Sequence, residues 1–272
     1  MSAASTSAPY AHAMEHFRLE QVADHAWAAV ALPDAGAVGN AGFVLSGGTT
    51  VVFDTLVTPQ AARDLRAEAE RIAPVGRAVN SHWHPDHVRG NVVFADVPIA
   101  ATERTRELIV ESLPRLEAMK REDKAPHLEA GGTRAEVART IDELEQVLPD
   151  ELFLERLELD GATVETLGGG HSESDAFLTL GEVIFTADLV VIGTHPLLVG
   201  GNPERWIEIL DALEERAPRA VVPGHGPVGS VDDVRAVRGY IESMLADPGR
   251  PPEPGWDHAD LHERNADFLR GR

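Results

Sequence analysis

The chain has 272 residues, no cysteine, 24 Lys and Arg against 45 Asp and Glu, and a formal net charge of −21 at pH 7. The missing thiols exclude disulfides, a cysteine nucleophile and thiolate metal ligation, and the negative charge disfavours a nucleic-acid backbone or an anionic membrane face as partner. With 43% hydrophobic and 25% charged residues, the composition is that of a globular chain able to bury a sizeable core, read as one domain over residues 1–272.

The N-terminal "MSAASTSAPYAHAMEHF" has no basic start and no continuous apolar stretch, so it does not read as a signal peptide. It reads as a flexible leader over about residues 1–16, and the default expectation is a cytoplasmic protein. Four β-like runs follow: "FRLEQVA", "AWAAVAL", "GFVLSGG" and "TTVVFDT". Gly47 and Gly48 between the last two predict a hairpin turn. A helix is expected from about Thr58, with Pro59 at its first position and Leu65 and Ile72 on its apolar side. The run "RAVNSH" is the next strand. Residues 101–149 have helical periodicity and many charges, and read as a helical insertion in which "DKAPHLEAGG" separates two helices. Strands resume with "FLERLEL", "ATVETLG", "AFLTLG" and "EVIFTAD"; then come the helix "PERWIEILDALEERA", the short strand "RAVVPGHG" and two C-terminal helices. Two strand-rich halves, each ending in helices, predict two packed sheets with helices outside.

The chemistry is concentrated in "NSHWHPDHVRGN", residues 80–91, which places His82, His84, Asp86 and His87 within six residues. In an extended segment, positions two apart project to one side, so His82 and His84 share a face. Pro85 disfavours helix at His84 and stiffens the turn, after which Asp86 and His87 begin a new helix. Imidazole and carboxylate without thiolate suit zinc, iron, manganese or cobalt, and four such groups exceed what one metal takes from a single turn. Four further positions follow or end apolar strands: Asp54 in "VVFDT", His171 in "TLGGGHSESD", Asp188 in "EVIFTADLV" and His225 in "AVVPGHGP". A carboxylate in an apolar run is costly unless paired or metal-bound, and neighbouring glycines let backbone turn sharply beside a ligand.

Taken together, these stretches resemble the metallo-β-lactamase superfamily, in particular its glyoxalase II and lactonase-like hydrolase branch, which also lies near the subclass B3-like proteins. The resemblance covers roughly residues 17–230. It implies an α/β fold, a four-layer αββα sandwich with metals at one edge between the sheets. Carried over residue by residue, it implies one metal on His82, His84 and His171, a second on Asp86, His87 and His225, Asp188 bridging both, and Asp54 orienting the ligands from outside. The implied cofactors are two zinc ions, with iron or manganese as alternatives. The implied activity is cleavage of a small ester, thioester, lactone or amide by a metal-bridging hydroxide, with Asp86 helping to orient it.

Asp188 stands where the zinc β-lactamases usually carry Cys or Ser, which weighs against β-lactam hydrolysis without removing it as an alternative. A mononuclear iron oxygenase acting on a persulfide is the other reading, because it keeps the same motif. The insertion is expected either to cover the metal edge as a lid or merely to pack. His195, seven residues beyond Asp188 in "GTHPLLVGG", is a candidate proton donor or substrate contact, or else an exposed loop histidine. Trp83 and Trp206 are expected to be packing residues, and Ser172 and Asp175 to form a turn.

Overall fold

The computed structural model describes residues 12–13, 15–142 and 144–272. Most of the expected leader lies outside the described residues. His12–Ala13 form β1 and pair with β2 (Phe17–Ala23), while His16 is buried with its Nδ1 2.7 Å from Asp64. The leader thus gives way to folded structure before residue 17.

The first half builds a sheet from β1, β2, β3 (Ala26–Ala31), β4 (Ala41–Ser46), β5 (Thr49–Phe53), β6 (Val75–Val79), β7 (Ile99–Thr102) and β8 (Glu151–Phe153), in that spatial order. The β4–β5 hairpin turns through Gly47 (φ +57°) and Gly48 (φ +83°), left-handed positions where glycine carries no steric cost. The chain then runs β5–α1–β6, with α1 spanning Pro59–Ile72 and Thr58 capping it by accepting the Ala61 N–H. β5, β6, β7 and β8 are parallel neighbours. The second sheet is β13 (Ala220–His225), β12 (Val183–Val191), β11 (Ala176–Leu180), β10 (Thr163–Thr166) and β9 (Arg156–Glu158).

Period-two alternation assigns each strand's faces. In the first sheet Ala26, Ala28, Val30, Val44, Val51, Phe53, Val79 and Ala100 point inward to meet Val164, Leu178, Val183, Phe185 and Val222 of the second. Their alternates, including Trp27, Phe43, Val52, Ala78 and Ile99, turn the other way and pack under Ala61, Ala62, Leu65 and Ala69 of α1. On the far face of the second sheet, Phe177, Ile184 and Val221 pack against α6 (Pro203–Glu215), α7 (Val231–Ala246) and α8 (Ala259–Arg270) through Trp206, Leu210, Val237, Ile241 and Ala266. Helix, sheet, sheet and helix therefore form the four layers expected.

Three readings need correction. Ile72 is 43% exposed, because the chain leaves α1 at Ala73 in an extended conformation and no further turn covers it. "FLERLEL" is not one strand: β8 and β9 belong to different sheets, and the chain crosses between them at Leu154, which is 83% exposed. The insertion begins after β7 and comprises α3 (Glu103–Arg121), α4 (Ala125–Ala130) and α5 (Gly132–Thr140), so the segment read as a separator holds a short helix of its own. Leu116 of α3 packs with Ile141 and Leu144 in a small separate core.

Candidate metal centre

The cluster sits where parallel strands end. Residues 81–83 leave β6 through bends, and His84 is extended, with φ −63° and ψ 147°. Pro85 opens the short helix α2 (Pro85–Val88), and a 3₁₀ helix over Arg89–Phe94 continues it. The reversal from strand to helix at proline is what lets His82 and His84 approach from one direction and Asp86 and His87 from another. His225 ends β13 and Asp188 lies within β12, at an irregularity of register where Ala187 adopts φ +45°. A left-handed alanine is uncommon and marks a backbone held by its surroundings.

Two groups of side chains converge. His82, His84, His171 and Asp188 bring potential ligand atoms within 4.8 Å of one another, and so do Asp86, His87 and His225. Asp188 connects them. Its Oδ2 lies 3.3 Å from His171 Nε2 and 3.7 Å from His82 Nε2; its Oδ1 lies 3.2 Å from His87 Nε2 and 3.3 Å from His225 Nε2. Asp86 Oδ2 stands 3.5 Å from His87 Nε2 and 3.4 Å from His225 Nε2. Every position carried by the sequence motif is therefore brought together, except that Asp54 stands behind the cluster.

His171 Nε2 and His84 Nδ1 lie at hydrogen-bond distance, 2.9 Å, but other atoms of the cluster have no such partner. His82 Nε2, His87 Nε2 and Asp188 Oδ1 are buried and make no hydrogen bond, although oppositely charged atoms are close. Buried polar atoms without partners are rare and costly. Lone pairs converging without hydrogen-bond alignment are what a cation supplies with partners, and the nitrogen and carboxylate donor set fits zinc. The same donors also accept iron or manganese.

The supporting hydrogen bonds fix which ring nitrogen faces inward. Asp54 Oδ2 accepts from His87 Nδ1 at 2.7 Å, leaving His87 Nε2 as the donor to a cation. The Ser81 hydroxyl donates to the same Asp54 oxygen at 2.8 Å and accepts from His82 Nδ1 at 2.9 Å, leaving His82 Nε2 likewise. Asp54 also accepts the Ser81 N–H at 2.7 Å. One buried carboxylate thus orients a histidine in each group. It is held at φ +63°, followed by Leu56 at φ +67°, in a backbone few non-glycine residues adopt. Asn80 donates to the His87 carbonyl and exchanges amide hydrogen bonds with Asn91, tying the start of the motif turn to its end.

Charge follows the same division. Burial, reinforced by the neighbouring imidazoles, keeps His82 well below the ordinary imidazole range, and burial together with His171 holds His84 near 4. His171 is also lowered by burial. Burial pulls on His87 too, but the carboxylates of Asp188, Asp54 and Asp86 outweigh it and hold that ring protonated well above its usual range. His225 is raised in the same way against burial, chiefly by Asp188. Asp188, despite burial, stays far below the carboxylate range because His225, His87 and His171 surround it.

Several supporting residues escaped the sequence reading. Ser81 links Asp54 to His82, yet nothing distinguishes it from an ordinary turn serine. A Cβ on Gly39 would lie 3.1 Å from both Asp86 Oδ2 and His87 Nε2, and one on Gly224 would lie 1.9 Å from Asp188 Oδ1. Asn40 donates to the carbonyls of Pro223 and Gly226 and so holds the end of β13. Asp175 does form the expected turn, accepting the N–H groups of Gly170 and Ser172 around His171. Trp206 is buried, donates to the Leu189 carbonyl at 2.9 Å and packs its ring 5.3 Å from that of His171.

His195 is not brought into the cluster and is not an exposed loop residue. It is 1% exposed. Its Nδ1 donates to the Asp257 carbonyl at 2.7 Å and its Nε2 accepts the Glu253 N–H at 3.0 Å. Tyr240, Trp256 and His262 pack around its ring. Both nitrogens are engaged by backbone, and the ring anchors residues 253–257.

The profile of the metallo-beta-lactamase superfamily matches residues 34–225. The chain belongs to that superfamily. Solved structures sharing the fold include VMB-1 at pH 5.5, with 19% identity, a TM-score of 0.64 and coverage of 85% of this chain and 99% of that one. A metallo beta lactamase from Erythrobacter litoralis gives 15% identity, a TM-score of 0.65 and coverage of 86% and 100%. DIM-1 metallo-beta-lactamase gives 17%, 0.62, 84% and 98%. At these identities the likeness is one of fold. No curated protein sequence matches the chain. Among the described residues, no helix is long and apolar enough to cross a membrane.

Proposed function

We propose that this superfamily member is a dinuclear metal-dependent hydrolase of a small ester, thioester, lactone or amide. The observation that carries the reading is Asp188, which offers one carboxylate oxygen to each histidine group, Oδ2 at 3.3 Å from His171 and Oδ1 at 3.3 Å from His225. When bound, two metal ions supply a water acidified to near neutral pH and a Lewis acid for the scissile carbonyl. His82, His84 and His171 would hold the first ion, and Asp86, His87 and His225 the second. Asp54, through His87 and through Ser81 to His82, would orient one histidine of each group to present Nε2. Asp86, partly exposed at the helix start, has its carboxylate 3.4 Å from His225 Nε2 and is placed to accept a proton at the cluster's mouth.

A mononuclear iron oxygenase keeps the same motif, so metal content rather than the residues separates the two readings. For β-lactams, the support is a fold shared with proteins named as lactamases at identities below one fifth, and no residue of this chain adds to it. The test is zinc-loaded protein assayed against nitrophenyl esters, thioesters, lactones and a β-lactam. Turnover of an acyl substrate that falls by about a thousandfold or more in His82→Ala supports the reading. Full activity in His82→Ala at wild-type metal content contradicts it.

A further inference from the structure

Next to the cluster, the motif turn and the helical insertion enclose a cleft. Trp83, Pro85, Val88 and Arg89 form one wall, Ser112, Arg115 and Leu116 of α3 the other, and Gln146 closes one end. Trp83 and Pro85 alternate along the chain with the metal-facing His84 and Asp86, and the Trp83 ring packs 4.7 Å from that of His84. Whatever occupies this cleft lies beside the reacting centre.

Two cations line it, the buried Arg89 and the exposed Arg115. Arg89 is 7% exposed, and the only side-chain partner of its guanidinium is the Met119 sulfur at 3.3 Å, a weak acceptor. Among the described residues no carboxylate pairs with Arg89 or with Arg115. The charges acting on Arg89 are Asp86, which is attractive but belongs to the second metal group, and Arg115, which is repulsive. Other arginines without a carboxylate partner among the described residues, such as Arg63, Arg121 and Arg264, are exposed to water, whereas Arg89 is buried. In a chain of 45 acids to 24 bases, acidic partners are plentiful. A buried guanidinium without an anion is costly, whereas one that gains a carboxylate makes a strong, two-pronged hydrogen bond. A cation on Asp86 removes the one attraction Arg89 has, so metal loading leaves the cleft more electropositive.

We propose that this cleft is an organic-anion site, in which Arg89 and Arg115 bind a free carboxylate of the substrate while Trp83, Val88 and Leu116 cover its apolar body. The inference rests on the hydrolase reading for its link to catalysis, and it deepens that reading: the preferred substrate carries a carboxylate apart from the bond that is cut. A carboxylate is favoured over a phosphate because the −21 charge of the chain repels a dianion more than a monoanion. The insertion then acts as one wall of the substrate site, contributed by Arg115 and Leu116 of α3.

The test is calorimetric titration of the zinc-loaded full chain with benzoate, its neutral isostere benzamide, and phenyl phosphate. Benzoate is expected to bind more tightly than either, and its affinity to fall about tenfold in Arg115→Ala and further in Arg89→Gln, as loss of a charge-assisted hydrogen bond implies. Arg219→Ala, at an exposed surface pair with Glu182, controls for the loss of one positive charge and is expected to bind as wild type. Arg115 is exposed on its helix, so its variant tests the site even where Arg89→Gln folds poorly. Equal binding of benzoate by wild type and both variants, binding no tighter than benzamide, or tighter binding of phenyl phosphate would overturn the proposal. Metal analysis of the same samples separates the two readings. Arginine-dependent benzoate binding without a second metal retains the cleft and removes the dinuclear hydrolase; two metals without such binding do the reverse.

Discussion

Asp54 Oδ2 lies 2.7 Å from His87 Nδ1, with both side chains almost wholly buried. The carboxylate touches no position where a metal would sit, yet it decides which nitrogen of His87 faces that position. Asp54→Asn keeps the size of the side chain, and asparagine tolerates the left-handed backbone at residue 54. Its one carbonyl oxygen replaces only one of the two carboxylate oxygens, so either the pair His87 Nδ1 and Ser81 hydroxyl or the Ser81 N–H is left facing an amide NH2. We expect the variant to fold and to bind the metal of the His87 group about 10- to 100-fold more weakly. Metal competition titration reads this directly, and unchanged affinity at both positions would refute the orienting role.

Metal loading should expel protons. His87 and His225 are held protonated above the ordinary imidazole range by the carboxylates around them, against the pull of burial. Each must lose its proton to donate Nε2 to a metal. His84, held near 4, is already neutral at pH 7 and contributes nothing. The sign follows: affinity for the second metal rises with pH through the range where His87 and His225 titrate in the metal-free protein, and falls as the solution is acidified. Titration in buffers of different ionisation enthalpy counts the protons released. A pH-independent affinity would contradict the charge assignment.

Two glycines distinguish the two groups. A methyl at Gly39 reaches Asp86 Oδ2 and His87 Nε2 at 3.1 Å and leaves the His82 group alone. Gly39→Ala is expected to weaken only the second metal. A methyl at Gly224 meets Asp188 Oδ1 at 1.9 Å, so Gly224→Ala must displace the Asp188 carboxylate and is expected to disturb both groups. Metal content of the two variants, measured side by side, checks the difference.

His195 acts on stability rather than turnover. His195→Ala removes a ring that bonds the Asp257 carbonyl and the Glu253 N–H and packs against Tyr240 and Trp256. Loss of about 2–4 kcal/mol is expected from the two hydrogen bonds and the cavity together, with faster amide exchange over residues 253–257 and kcat within about twofold of wild type. A large fall in kcat at unchanged stability would restore it as a proton donor.

The candidate ligand residues were legible as a cluster because each lies in a short motif whose chemistry has few other uses: three histidines and an aspartate around Pro85, and single polar residues at the ends of apolar strands. The layers were legible for a similar reason, since alternation along β3 to β7 marks both faces. What failed depended on tertiary context. His195 stands before a proline in a loop, and only the return of residues 253–257 over it makes it a buried anchor. "FLERLEL" has no break in its pattern, and the crossing at Leu154 is set by where the edges of two sheets lie. Ser81, Asn40 and Gly39 are ordinary residues whose roles come from what surrounds them.

The central claim is that Asp188 and six neighbouring side chains hold two metal ions. Elemental analysis of the protein purified without added metal tests it most directly. About two zinc ions per chain is the result the arrangement predicts. About one iron ion per chain, with persulfide-dependent oxygen uptake, would contradict it.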